Sequence, residues 1–368
     1  MAELGWLASL RAGLRSVPKL SPTQIAELST GTLAVSLIIP AKNAGHAIVR
    51  TLQIAHAFLT EAYALDFEIL VVVSKSEDDP NDPTAQLAQA ALKDCPRAQL
   101  VYRDQALAGK GAALRSGFLA SKGRRLFFTD ADLPYDLEFF SRASACLDSG
   151  FELVTANRRL PESHFDIPVS LLPLAYGRHR LGLLFNRAVR RLFPILTTDT
   201  QAGIKALTRK LAIAAFSDQT NPGFFFDVEL FLTARGRGFK QTEIPALLYL
   251  NSEKSTIRLL REAILAVTWL LRIRRNWQLG HYGSPAQGQS HLSHAILARY
   301  AEAQKALGDT NDAWFLRLRW WLTPYSQLLA ELPPHGRILD IGCGHGFLSL
   351  AAALDSPARE VVGVDHDA

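Results

Sequence analysis

Residues 109–140 read GKGAALRSGFLASKGRRLFFTDADLPYDLEFF, and this stretch decides the fold. Lys110, flanked by two glycines, makes the turn into a helix predicted over Ala112–Ala120. The apolar run Arg125–Thr129 reads as a buried strand that delivers the acidic turn Asp130-Ala131-Asp132. Working outward, Leu33–Ile39 reads as a strand halted by Pro40, and Ala47–Leu59 as a helix with Ile48, Leu52, Ala55 and Leu59 on one face. Phe67–Val73, Gln99–Tyr102 and Phe151–Thr155 read as further strands, with a helix over Thr84–Leu92. Strands alternating with helices predict an α/β, Rossmann-like domain with a mainly parallel sheet flanked by helices. Its chemistry is expected in the loops after Ile39, Val73 and Thr129, at the carboxyl ends of the strands.

The 368 residues are 48% hydrophobic and 20% charged, enough for about two domains of ordinary size, which excludes a disordered or collagen-like chain. Cys95, Cys146 and Cys343 are too scattered for a disulfide framework or a zinc cage and suit a reducing cytoplasm. The net charge of +5 is mild, but Arg178, Arg180, Arg187, Arg190 and Arg191 lie close together, as do Arg272, Arg274 and Arg275. Clustered arginines suit an anionic partner. No apolar run reaches the roughly 20 residues that span a bilayer. The helical stretch Ile257–Trp277 is apolar through its middle and basic at its end, so it reads either as a core helix or as an interfacial one anchored by Trp269 and Trp277.

Asp130 and Asp132, at alternate positions beyond a strand, are read as facing one side, where hard oxygen ligands suit Mg2+ or Mn2+. Lys110 and the backbone N–H groups near it are candidate phosphate contacts, although the spacing is not that of a Walker A loop. Asp227 and Glu229 flank Val228 and are read either as site-facing carboxylates or as capping and salt-bridge residues. His46, His56 and His179 show no metal spacing and are read as structural or surface residues.

Six blocks in order, SLIIPAKNAG, GKGAALRSGF, TDADLPYDLE, TTDTQAGIKAL, FFFDVELFLTARGRGFKQTEIPALL and SEKSTIRLLREA, resemble the family 2 glycosyltransferases of GT-A fold. The likeness covers roughly Leu33 to Arg275 and is greatest to the members that glycosylate polyprenyl or dolichyl phosphate. It implies a metal-dependent, inverting hexosyltransferase that uses a UDP-glucose or GDP-mannose type donor. It implies metal ligation by Asp130 and Asp132, and catalytic positions at Asp130, Asp132, Arg158, Arg180 and Lys254, with Arg178 as a further acceptor-phosphate candidate. Donor binding falls to Pro40, Ala41, Asn43, Ser74, Lys110 and Asp130. The chain departs from the family at Lys42-Asn43-Ala44, where Tyr-Asn-Glu is usual, and at Val73-Ser74, where two aspartates are usual. The implied partners are a nucleotide sugar, a polyprenyl phosphate and a membrane surface, with no nucleic acid. The implied place is the cytoplasmic face of the membrane, held peripherally, in cell-envelope glycan assembly.

A second motif lies in RILDIGCGHGFLSL, followed by EVVGVDHDA. Asp340, Gly342, Gly344, Gly346 and Asp365 resemble the first motif of class I S-adenosylmethionine-dependent methyltransferases. One βαβ unit cannot bury both faces of its sheet, so the chain is read as a bifunctional protein cut short, with no methyl transfer expected of it. S-adenosylmethionine would enter only with a complete methyltransferase domain. The expected plan is an extension over 1–30, a transferase domain with a C-terminal amphipathic helix over 31–278, a helical linker over 279–334 and a truncated methyltransferase-like segment over 335–368. The rival readings are transfer to a glycan hydroxyl, a methyltransferase whose other half delivers substrate, and a non-catalytic nucleotide-sugar binder.

Overall fold

The computed structural model describes residues 15–64, 66–73, 81–104, 106–168, 172–249, 259–283, 328–329, 332–344 and 346–366, with backbone alone at 172–179, 181 and 259–264. Two compact units emerge, one from residues up to Asn186 with Leu196–Ile273, the other from Arg187–Ile195 with Arg274 onward.

In the first unit the described elements run α1 (Pro22–Leu28), β1 (Leu33–Ala41), α2 (Ala47–Tyr63), β2 (Phe67–Val73), α3 (Thr84–Ala91), β3 (Ala98–Tyr102), α4 (Lys110–Ala120) and β4 (Gly123–Phe128). There follow α5 (Glu138–Asp148), β5 (Leu153–Asn157), β6 (His164–Asp166), α6 (Leu172–Leu192), β7 (Lys205–Thr208), α7 (Arg209–Asp218), α8 (Phe226–Gly236), β8 (Gln241–Pro245), β9 (Leu247–Tyr249) and α9 (Leu259–Gln278). Helices α6 and α9 run on into residues of the second unit.

Seven strands form one sheet in the order β3-β2-β1-β4-β7-β5-β8. Only β7 runs against the others, between β4 and β5. The α/β expectation is met: the sheet is mainly parallel and flanked by helices. Strand β2 (FEILVVV) is buried at every position, as a strand covered on both faces must be. Its alternate residues Phe67, Ile69, Val71 and Val73 join Leu37, Ile39, Leu52, Leu59, Phe127 and Phe140 in the main core.

Pro40 does not halt β1, which continues to Ala41 and pairs Pro40 with Val72. Ile38 accepts the Thr129 N–H on the β4 side, and β4 pairing ends there, so two residues on Pro40 lacks an N–H that nothing required. At the amino end, Ser21 and Gln24 form a capping box on α1. The buried Arg209 clasps α1 to the domain by donating to the carbonyls of Leu28, Ser121 and Gly123. None of β6, β7, β8 and β9 was expected, because each is three to five residues long and carries little periodicity.

Within the second unit, β10 (Gly336–Ile341) pairs in parallel with β11 (Arg359–Val364), joined by α10 (Phe347–Asp355). Its core is Leu329, Phe347, Ala351 and Ala352.

The two tryptophans named as anchors in the interfacial reading of α9 lie in the interior, as the core-helix reading expects. Trp269 and Trp277 are buried, and Arg272 stacks over the Trp269 ring at 4.9 Å. Buried Arg274 donates to the Leu192 carbonyl, and burial lowers its pKa to about 10. Among the described residues no helix is long and apolar enough to cross a membrane.

Candidate functional site

Strands β1, β2 and β4 are mutually parallel, so their carboxyl ends at Ala41, Val73 and Phe128 lie on one edge of the sheet. Asp130-Ala131-Asp132 follows β4 as a turn rather than as strand, which corrects the alternation argument for the two carboxylates. The turn is held by the Leu133 N–H on the Asp130 carbonyl at 3.1 Å, by Leu133 at φ 43°, and by Thr51 Oγ1 donating to the Ala131 carbonyl at 2.8 Å. Asp130 is half-buried and Asp132 is exposed.

Lys110 Nζ meets Asp130 Oδ1 at 2.5 Å. Burial works to lower the Lys110 pKa, but Asp130 and then Asp227 outweigh it and hold the ammonium above its usual value. Asp130 Oδ2 lies against Gly203, where a Cβ would sit 1.9 Å from it. The same glycine donates its N–H to Tyr135 Oη at 2.8 Å. Burial pushes the Tyr135 phenol up to about 12. Residue 203 has to be glycine because the carboxylate fills the space of its side chain.

Helix α4 starts at Lys110 with Gly109 at φ 127°. Its first amides are already bonded: Gly111 N–H to the Gly223 carbonyl at 3.2 Å and Ala112 N–H to the Pro222 carbonyl at 2.8 Å. The amides of Gly111 and Ala112, two of those expected beside Lys110 as phosphate contacts, therefore serve the 222–223 loop, while the ammonium meets Asp130.

A second cluster sits at the end of β5. Arg158 donates through Nε and Nη2 to the two oxygens of Asp199, both at 2.7 Å, and its backbone N–H adds a third bond at 3.0 Å. Burial raises the Asp199 pKa, yet these bonds and the Arg158 charge bring it below the usual carboxylate range. Asn157 gathers Thr198 and Glu243, each at 2.9 Å from Nδ2, and takes the Arg159 N–H on Oδ1. Asp199 thus orients Arg158, a planar donor suited to phosphate.

Residues 36–212 carry Lys110, Asp130, Tyr135, Arg158, Asp199 and Gly203, and they match the model described as Glycosyl transferase family 2. That stretch belongs to the family 2 glycosyltransferases. Residues 325–368 match the model of the methyltransferase small domain. The chain is 28% identical over 222 residues to glycosyltransferase AglD of Haloferax volcanii, covering 60% of this chain and 34% of that one. It spans about a third of that relative's length. It is 26% identical over 286 residues to the dolichyl-phosphate beta-glucosyltransferase of Saccharomyces cerevisiae, covering 73% and 81%. Among solved structures it is similar to the mannosyltransferase PcManGT from Pyrobaculum calidifontis in complex with GDP-Man and Mn2+, at 18% identity and a TM-score of 0.42, covering 95% and 93%.

The remaining candidates divide sharply. Pro40 and Ala41 close β1, and Asn43 follows at φ 53°, its N–H donating to Asp82 Oδ2 at 2.8 Å. Thr84 Oγ1 takes the N–H groups of Ala44 and Gly45, so Asp82 and Thr84 shape the loop without having stood out in the sequence. Arg180 is exposed on α6, and Arg178 lies on the same helix. Ser74 and Lys254 lie outside the described residues.

Asp227 and Glu229 do not share a face. They sit on the first turn of α8, where positions i and i+2 point about 200° apart. Asp227 pairs with buried Lys205 at 2.8 Å, and burial lowers the Lys205 pKa against that partner. Glu229 takes the backbone N–H groups of Thr220 and Asn221 and the Thr220 hydroxyl. His56 packs edge-on to Phe67 at 5.6 Å. In the second unit Asp340 accepts from Ser349 Oγ at 2.7 Å, Asp365 accepts the Gly344 N–H, and Gly342, Gly344 and Gly346 all have positive φ.

Among the described residues no group of three or more His, Cys, Asp or Glu is placed to hold a metal. Asp130 and Asp132 carry the hard oxygen donors that a divalent cation takes when its other ligands come from phosphate oxygens. Asp130 Oδ1 already holds a cationic group, the Lys110 ammonium.

Proposed function

We propose that this transferase moves a hexose from a nucleotide sugar to a polyprenyl or dolichyl type lipid phosphate, with inversion at the sugar carbon. The observation that carries the acceptor class is the commitment of Asp227 and Glu229 to interior partners. A sugar hydroxyl must lose a proton as it attacks and needs a carboxylate base within reach. A phosphate monoester is already anionic and needs none. The site instead has to hold two phosphorylated reactants in line, which calls for cations and positioning.

Asp130 and Asp132 would bind Mg2+ or Mn2+, which when bound neutralises charge on the departing diphosphate. Arg158, oriented by Asp199, clamps an acceptor or donor phosphate, with Arg178, Arg180 and Lys254 completing the cationic side. Pro40, Ala41, Asn43 and Ser74 line the nucleotide. The relatives named dolichyl-phosphate beta-glucosyltransferase support a dolichyl-type acceptor and make UDP-glucose the first donor to try. The acceptor implies work at a membrane surface. Hexose transfer is assigned to the 31–278 region and none to 335–368, which lies in the match to the methyltransferase small domain.

The test is labelled UDP-glucose or GDP-mannose incubated with the protein, polyprenyl phosphate and Mg2+ or Mn2+. Label should enter the organic phase, name the donor, and vanish in Asp132→Ala. A folded, nucleotide-binding protein that transfers no label from either donor to lipid overturns this reading in favour of a hydroxyl acceptor or of binding alone.

A further inference from the structure

The two oxygens of Asp130 have different neighbours. Oδ2 is packed against the Gly203 backbone, so close that a Cβ there would overlap it at 1.9 Å, and Oδ1 is held by Lys110 at 2.5 Å. The lysine stem is fixed. Lys110 is the first residue of α4, Gly109 is pressed on the Pro222 carbonyl, and Gly111 and Ala112 are bonded to the 222–223 loop. That loop is gripped in turn by Glu229 at Thr220 and Asn221. Only the Lys110 side-chain torsions are left to move the ammonium. Asp227 also attracts it, but Asp227 is ion-paired to Lys205, so among the described residues the direct bond of the Lys110 ammonium is to Asp130.

We propose that Lys110 is a placeholder cation for Asp130: it neutralises Oδ1 until a divalent cation takes that oxygen, and it then turns its ammonium to the donor's leaving diphosphate. The inference rests on the nucleotide-sugar reading above and assigns Lys110 two successive partners within it. Two cations cannot share one carboxylate oxygen at contact distance without strong repulsion. The displaced ammonium then has the incoming diphosphate as its partner, so its charge stays in the site. A cation that arrives with the diphosphate therefore binds more readily than the bare ion, which couples cation and donor binding.

The test is Mn2+ binding followed by electron paramagnetic resonance, first without nucleotide and then with UDP. Lys110→Met should bind bare Mn2+ about tenfold more tightly than wild type, since the competing charge is gone, and should bind UDP at saturating Mn2+ about tenfold less tightly. Lys110→Arg, which keeps the charge, should stay close to wild type in both. A merely structural lysine would not move the two affinities in opposite directions. Bare Mn2+ binding that is unchanged or weaker in Lys110→Met overturns the proposal. Should Lys110→Met not fold, acylation of Lys110 in wild type is read by mass spectrometry. Mn2+ should speed it several-fold without UDP and UDP should suppress it, whereas no response to Mn2+ overturns the placeholder role. Mn2+ binding that Asp130→Asn removes leaves the transferase reading standing whatever Lys110 does. Absence of Mn2+ binding even with UDP overturns the placeholder and the metal dependence together, while the lipid-label assay alone judges the acceptor.

Discussion

Strands β1 and β10 begin alike, as apolar runs that lead into a glycine-containing loop, yet they end in different physical situations. Ile39 of β1 has no exposure, while Ile341 of β10 is 80% exposed. Both belong to parallel pairs with a helical crossover. The difference is the number of neighbours. β1 has β2 on one edge, β4 on the other and helices over its faces, whereas among the described residues the β10–β11 pair has α10 and a core of four buried residues. A βαβ unit alone leaves Leu339, Ile341, Val362 and Val364 exposed. Local pattern suffices for the turn and the glycine loop, but a core that tolerates buried charge needs the wide sheet.

The comparison breaks most easily at Asp227. Removing it in Asp227→Ala strands the fully buried Lys205 ammonium, which should cost about 3–5 kcal/mol in denaturant unfolding. A loss under 1 kcal/mol would mean that the wide sheet does not depend on pairing its charges. Ile39→Ala should cost about 2–5 kcal/mol by the same measurement.

Gly203→Ala comes next. Its Cβ would drive Asp130 from its place, and label transfer should fall about 100-fold while the melting temperature stays within a few degrees. Alkaline pH probes the neighbouring phenol. Burial raises the Tyr135 pKa from 10 to about 12, so below pH 10 both folded and unfolded chains keep the proton. Between 10 and 12 only the unfolded chain ionises, and stability should fall by about 2–3 kcal/mol as pH rises through that window. Tyr135→Phe should lack this limb of the stability profile. The smallest effect belongs to the narrow pair: Ile341→Ala should change stability by less than about 0.5 kcal/mol. A cost near that of Ile39→Ala would show that the exposed face is covered in solution.

Much of the site was legible where short-range patterning carries it. The strand before Asp130 and the glycine turn at Lys110 follow from apolar runs and glycines, which act over a few residues. Gly203, Tyr135 and Lys205 were in view inside TTDTQAGIKAL and LPYD but had no assigned role, because each matters through a partner far along the chain. Gly203 makes room for Asp130, and Lys205 answers Asp227. Asp82 and Thr84 gave no sign at all, since an Asx-type turn that pins the 43–45 amides resembles any polar loop in one dimension.

By itself the sequence determined the alternation of strands and helices, the loops at the carboxyl ends of β1, β2 and β4, and the glycine turns, because periodicity and backbone freedom are local properties. Tertiary structure alone decided which charges meet. It set β7 against its neighbours, which brings Lys205 beneath Asp227. It turned Asp227 and Glu229 to opposite sides of α8, and it closed the first amides of α4 with the 222–223 loop. Such pairings join residues up to about a hundred positions apart, and only the packed sheet holds them close enough to interact.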